Sequence, residues 1–222
     1  MANPPKIRAV ILDMDGIIID SEPIYRLAWQ AAANEIGYNL SDEFYASLLG
    51  FTIPDAEAEV SRVLGPDFSI DRFREFWRVR WKRYVETKGM PVKPGLWNLL
   101  EVLETYRVPV AVGTSSDAEK VNFSLRAAGL DGRFPCIVSG DQVTRGKPAP
   151  DIFLEASRRL GIEPEFCIVL EDSDAGILAA AAAGMSSIFI PDLKPPSPEA
   201  ARLAFRILPS LDEAAGFIRD CF

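Results

Sequence analysis

A chain of 222 residues, 48% hydrophobic and 10% aromatic, can bury a real core as one larger domain or as a domain carrying an insert. Such a composition excludes a disordered or collagen-like class. The formal net charge of −8 repels nucleic acid and anionic lipid headgroups, so neither is an expected partner, and an anionic substrate would need a cation supplied by its site.

The opening "MANPPK" leads straight into an apolar run at 7–12, "IRAVIL", interrupted only by Arg8 and without a charged-then-apolar leader. The run reads as a buried strand, and it ends on Asp13 and Asp15, one residue apart, with Gly16 closing the phrase. From Asp20 to about Met90 no strand pattern recurs. The text is amphipathic and helical: "PIYRLAWQAAANEIG", "SDEFYASLLG", "IPDAEAEVSRVLG" and "SIDRFREFWRVRWKRYVETKG". That is far more than a crossover needs, and it predicts an inserted all-helical cap subdomain over 20–91. Its connections, "IIIDSEP" and the Pro- and Gly-rich "KGMPVKPG", join it to a core of 1–19 and 92–222. Phe73, Trp77, Trp81 and Tyr84 share one helix face and are expected to be the insert's own core. Arg72, Arg74, Arg78, Arg80, Lys82 and Arg83 beside them read mostly as a solvated face.

Beyond the insert, short β-rich runs at 108–112, 136–139, 167–170, 187–190 and 206–208 alternate with helical segments at 94–105, 117–128, 150–160, 174–183 and 210–219. This alternation predicts an α/β fold: a Rossmann-like parallel sheet with helices on both faces and ligands beyond the carboxyl ends of its strands. The longest small-apolar stretch, "AGILAAAAAGM", is too short to span a bilayer. Cys136, Cys167 and Cys221 are odd in number and lack metal-ligand spacing, which fits a reducing, cytoplasmic setting. Histidine is absent, removing histidine-based triads and histidine-ligated zinc.

Each strand is followed by polar text. Asp13-Met14-Asp15-Gly16 follows the first and Thr114-Ser115-Ser116 the second. "RGKPAPDIF", with Lys147, comes a few residues after the third, and Glu171-Asp172-Ser173 follows the fourth. In a parallel sheet these meet at one edge, bringing four carboxylates, a hydroxyl and one lysine together. One lysine cannot balance four acids, so a divalent cation is implied, and hard oxygen donors select Mg²⁺. A phosphoryl group fits the remaining chemistry. Lys147 and Thr114 would hold its oxygens, and backbone N–H groups around Gly16 and Ser115 would add donors. Asp13 would be the nucleophile, and Asp15 would protonate the leaving oxygen and then deprotonate water. Plainer readings stand beside these. Asp13 and Asp15 could be turn acids, and Lys147 a solvated loop residue. Thr114 or Ser115 could cap the helix starting near Asp117, and Glu171, Asp172 and Asp174 could be acids favoured by a helix N-terminus.

In order and spacing, "DMDG", "GTSS", "GKPAPDIF" and "EDSDAGILAAAAAGM" resemble the four motifs of the haloacid dehalogenase superfamily, in its phosphatase and mutase branch with a helical cap after the first motif. The resemblance implies Mg²⁺ held by Asp13, the backbone carbonyl of Asp15 and Asp172, with Glu171 acting through a metal-bound water. It also implies a cap closing over a small phosphorylated metabolite, in a monomer or weak homodimer. Arg80 lies where a basic residue of beta-phosphoglucomutase-like caps reaches substrate. Two departures bear on the reaction. Tyr25 stands where mutase-like relatives have a histidine that assists proton transfer, and Ile53 where an arginine grips a second phosphate. Both favour phosphomonoester hydrolysis, of the sugar phosphate or phosphoglycolate type, over a beta-phosphoglucomutase-like isomerisation. A receiver-like domain and a non-catalytic phospho-ligand binder are the rivals from other classes. The late position of a receiver's aspartate and its lack of a helical insert count against the first, and intact acids at 13 and 15 against the second.

Overall fold

The first strand, β1 (Ala9–Leu12), is completely buried at every residue, which is why "AVIL" carries no polar alternation: a parallel strand covered on both faces has no solvent side. The computed structural model describes residues 6–49, 51 and 53–222; the opening residues 1–5, and Gly50 and Thr52 of "GFTIPDAE", lie outside the described residues. The described residues form two compact units, one from 6–20 with 91–222 and the other from the described part of 21–90.

In chain order the second unit supplies α1 (Glu22–Glu35), α2 (Asp42–Leu48), α3 (Ile53–Leu64) and α4 (Ile70–Lys88). The first unit continues with α5 (Leu96–Thr105), β2 (Val110–Gly113), α6 (Ala118–Ala127), β3 (Cys136–Val138) and α7 (Asp151–Leu160). It closes with β4 (Cys167–Glu171), α8 (Asp174–Ala182), β5 (Ser186–Phe189), α9 (Pro198–Leu203), β6 (Arg206–Ile207) and α10 (Leu211–Arg219). No described helix is long and apolar enough to cross a membrane.

All six strands pair in parallel in the order β3-β2-β1-β4-β5-β6, with Leu12 level with Val112 on one side and Leu170 on the other. The chain builds outward from β1 in one direction and then in the other, so the order reverses between β1 and β4. That reversal opens a crevice at the carboxyl ends of the two central strands, the usual ligand position on such a sheet. On one face Ile11, Ala111, Val138 and Val169 pack against Ile152, Phe153 and Ala156 of α7 and Ala179 and Ala180 of α8. The alanines keep α8 close to the sheet.

Several boundaries differ from expectation for local reasons. The second strand starts at Val110 rather than Val108, because Pro109 has no N–H to give a ladder; its carbonyl accepts from Val10 N–H at 3.0 Å instead. The fourth strand runs one residue further, to Glu171, whose carboxylate is satisfied inside the protein. The short helix α9 was not anticipated, although Ser197 as N-cap before Pro198 is a start signal.

Within Ser21–Met90, α1 and α4 pack through aromatic rings, with Trp29 edge-on to Phe73 at 5.2 Å between centroids. The buried stripe of α4 runs Phe73, Trp77, Trp81, Val85 in steps of four, whereas Tyr84 is 36% exposed. The stripe follows an inclined i+4 ridge and not the helix axis, which moves Tyr84 off it. Glu57 on α3 is buried at 4% exposure and accepts two hydrogen bonds from Arg74, at 2.7 and 2.9 Å, and one from Trp77 Nε1 at 3.0 Å. Truncating one side of a buried pair leaves the others desolvated and unmatched. Glu57→Ala should therefore destabilise this unit by about 3 kcal/mol, read as a lower urea midpoint for its unfolding.

Candidate active site

At the carboxyl end of β1, Asp13 keeps the ladder going through its backbone, donating its N–H to Leu170 O at 3.0 Å, while its carboxyl meets Lys147. The Lys147 ammonium lies 2.5 Å from Asp13 Oδ1, 2.6 Å from Glu171 Oε1 and 2.9 Å from Gly113 O. It also sits 4.8 Å from the ring centroid of Phe153. An ammonium has three hydrogens, and three acceptors take them. Lys147 therefore acts on the site through its charge and its grip on Asp13 and Glu171, a more internal role than that of a loop lysine waiting for phosphate.

Glu171 ends β4 at 1% exposure. Its other oxygen, Oε2, accepts from the N–H groups of Asp172 and Ser173, at 2.9 and 2.8 Å, and from the Ser173 hydroxyl at 2.8 Å. Ser173 in turn caps α8 by accepting from Gly176 N–H. Asp174 stands in the first turn of α8, where a helix N-terminus favours an acid, and it also accepts from Ser197 N–H at the start of α9. A Cβ on Gly176 would overlap the Glu171 carboxyl, so the bare glycine makes the room in which that acid sits.

Gly16 does a similar service for Asp172. Its φ of +85° suits glycine, and a Cβ there would overlap the Asp172 carboxyl. Its own N–H donates to Ile19 O at 2.9 Å, so what Gly16 itself gives the site is space. Thr114, at 2% exposure, follows β2, and its hydroxyl oxygen accepts from Ser116 N–H at 3.2 Å. Ser115 beside it is exposed. Neither caps α6, because Asp117 does so by accepting from Lys120 N–H at 2.8 Å.

The expectation of a single lysine needs correction. Lys120, one turn into α6, places its ammonium 3.1 Å from Asp15 Oδ2 and 2.9 Å from Ser116 Oγ, and the Ser116 hydroxyl donates to the same Asp15 oxygen at 3.1 Å. Reading four residues on from Ser116 along the incipient helix would have found it. Arg80 and Tyr25 belong to the other unit. Arg80 pairs with Glu35 between α4 and α1, and Tyr25 stacks on Trp81 at 5.6 Å.

Even with two lysines, negative charge is in excess. Burial raises the pKa of Asp13 to about 7, against the pull of Lys147 and with help from Glu171 and Asp15. Burial also lifts Asp172 well above the usual carboxylate range, reinforced by Glu171, Asp13 and Asp192. Lys147 goes up: burial opposes its charge, but Asp13 and Glu171 overcome that. Among the described residues Asp172 has no ion-pair partner, whereas Asp192 is taken by Lys93 at 2.5 Å. No group of three acidic, cysteine or histidine side chains gathers as a metal cluster among the described residues. Mg²⁺ does not require one, since it binds through one or two carboxylates and keeps waters. An Asp172 carboxyl without an ion-pair partner, set against Gly16 and repelled by the charge of a buried Asp13, is a donor set that suits it.

A family model described as haloacid dehalogenase-like hydrolase matches residues 10–190. A phosphorylated carbohydrates phosphatase of Thermotoga maritima is 32% identical over 82% of this chain and 83% of its own. The fructose-1-phosphate phosphatase YqaB of Escherichia coli is 33% identical over 81% of this chain and 94% of its own. A HAD family hydrolase of Deinococcus radiodurans, solved with bound phosphate and sodium, superposes with a TM-score of 0.81 at 28% identity, over 98% of this chain and 97% of that one.

Asp13 is a weaker acid folded than unfolded. Its protonated form contributes stability that is complete below the ordinary range near 3.8 and is lost as pH rises through about 7. With chelator present, the thermal midpoint should fall between about pH 4 and about pH 7, and Asp13→Asn should flatten part of that fall. A pH profile left unchanged by Asp13→Asn would mean Asp13 is ionised throughout.

Proposed function

The chain belongs to the haloacid dehalogenase-like hydrolases, in the beta-phosphoglucomutase and phosphatase branch, and hydrolyses phosphomonoesters; on that premise we propose that it is a Mg²⁺-dependent phosphatase of small phosphorylated carbohydrates working through an Asp13 phosphoenzyme. One observation carries the reading. Asp13 is gripped by a lysine that also neutralises Glu171, while Asp15, two residues on, is held separately by Lys120 and Ser116. Two acids on one loop thus have different partners, and different partners allow different tasks.

In the first half-reaction an Asp13 carboxylate oxygen attacks phosphorus and the ester P–O bond breaks. The departing alkoxide takes a proton from Asp15. In the second, Asp15 takes a proton from water, the water oxygen attacks phosphorus, and the acyl phosphate bond breaks. That step returns the Asp13 carboxylate and releases phosphate. Lys147 keeps Asp13 aimed and offsets its charge. The Thr114 hydroxyl and the N–H of Ser115 would donate to phosphoryl oxygens, with Gly16 leaving room. Asp13, the Asp15 carbonyl and Asp172 would hold Mg²⁺, whose positive charge would offset that of the phosphoryl group, and Glu171 fixes the loop that carries Asp172.

Hydrolysis is favoured over isomerisation by the two phosphatases named above and by Tyr25, which is stacked among tryptophans and brings no imidazole. Three free cysteines support work in a reducing compartment, the cytoplasm.

A phosphate-release screen over phosphorylated sugars, with Mg²⁺ and again with chelator, should find turnover only with the metal; a sugar-phosphate interconversion without phosphate release would favour the mutase instead. Asp13→Asn should lower turnover to below about one-thousandth with circular dichroism unchanged, and full activity in that variant would refute the nucleophile.

A further inference from the structure

Lys120 lies outside the proposed chemistry, yet it makes two contacts that converge on the proposed acid. Its ammonium and the Ser116 hydroxyl both donate to Asp15 Oδ2, at 3.1 Å each, and the ammonium also donates to Ser116 Oγ at 2.9 Å, closing a three-membered ring of hydrogen bonds. The ring is semi-enclosed: the Lys120 side chain is 21% exposed and that of Asp15 31%. Ser116 is itself fixed, since its N–H bonds Thr114 Oγ1 and its carbonyl accepts from Gly140 N–H at 2.9 Å. Lys120 stands on the first turn of α6, whose N-cap Asp117 fixes that turn, while Asp141 accepts from Ala118 N–H at 3.1 Å. The donors are therefore anchored to β2, α6 and the 139–142 turn, while the acceptor rides on the loop after β1.

We propose that Lys120, acting with Ser116, is a positioning residue for Asp15: two donors on one carboxyl oxygen fix the plane of the group and aim it at the oxygen of the leaving alcohol. The inference rests on Asp15 being the proton carrier. A carboxyl on a loop, joined to its backbone by two rotatable bonds, samples several directions in water. An acid that must meet one ester oxygen loses rate in proportion to the time spent elsewhere, and an ångström of misplacement costs up to about a hundredfold. The pair is charge-assisted and partly shielded, the setting in which such contacts hold a geometry. Lysine's length is what lets a helix residue reach across to another strand's loop.

The test compares two esters by kcat/KM, which reports the first half-reaction alone once phosphoryl transfer commits the substrate. Fructose 1-phosphate needs a proton for its leaving alkoxide, whereas 4-nitrophenyl phosphate releases a stable anion without one. Lys120→Met should lower kcat/KM for fructose 1-phosphate about tenfold and leave the aryl ester within about twofold, with Lys120→Arg restoring most of the loss. In an Asp15→Asn background, Lys120→Met should cost nothing further. Lys120→Gln serves as a second truncation should the methionine variant fold poorly. Equal losses on both esters, or the same tenfold loss without Asp15, would overturn the positioning role. If Asp15→Asn by itself fails to discriminate between the esters, the acid assignment falls, and the role of Lys120 falls with it.

Discussion

A single ammonium group holds the site in its folded form. Lys147 bridges Asp13 and Glu171 with its charge and spends its last hydrogen on Gly113 O, so the ends of β1, β2 and β4 are tied to one atom. Without it, two buried carboxylates would face each other across a low-dielectric crevice, a repulsion that would spread the central strands or force both acids to stay protonated. The rest of the site depends on that knot. Glu171 can turn its other oxygen to the loop at 172–173 only because Lys147 satisfies the first, and that loop starts α8 and presents Asp172.

The sheet explains why such a crowd of charge is tolerable. Strand order reverses between β1 and β4, so no crossover helix covers the carboxyl ends there, and the acids sit over an opening instead of under a helix. Beneath them lie Leu12, Val112 and Leu170, all fully buried, which form a rigid apolar floor. The floor removes water from one side of the carboxylates and so raises their affinity for protons or for a cation. The crevice is where the fold brings unpaired negative charge and limited solvent together.

Much of this was legible in the text because strand ends punctuate it. Asp13, Thr114 and Glu171 each follow an apolar run, and parallel pairing brings strand ends together whatever their separation in sequence. Less legible were contacts that depend on side-chain reach. Lys120 lies inside a helix, seven residues past the end of β2, and its one signal is the four-residue spacing from Ser116, which says nothing of the reach back to Asp15. Gly16 is a related case: a glycine loop after a strand signals backbone donors, but that the N–H of Gly16 itself goes to Ile19 is a three-dimensional fact. The helix α9 escaped notice because prolines before it mask the serine cap that starts it. Tyr84 was assigned to the buried face by angular periodicity, and the inclined ridge that real packing follows moved the burial to Val85.

The bare position at Gly176 carries a cost that thermostability engineers would wish to remove. A glycine inside a helix is an inviting target for alanine, worth up to about 1 kcal/mol by propensity. Here the same methyl would land on the Glu171 carboxyl. Gly216 inside α10, where a Cβ would meet nothing nearer than Arg219 at 3.9 Å, stays open to the same change, whereas the tolerance of α8 for hardening ends where the acid of the neighbouring strand begins.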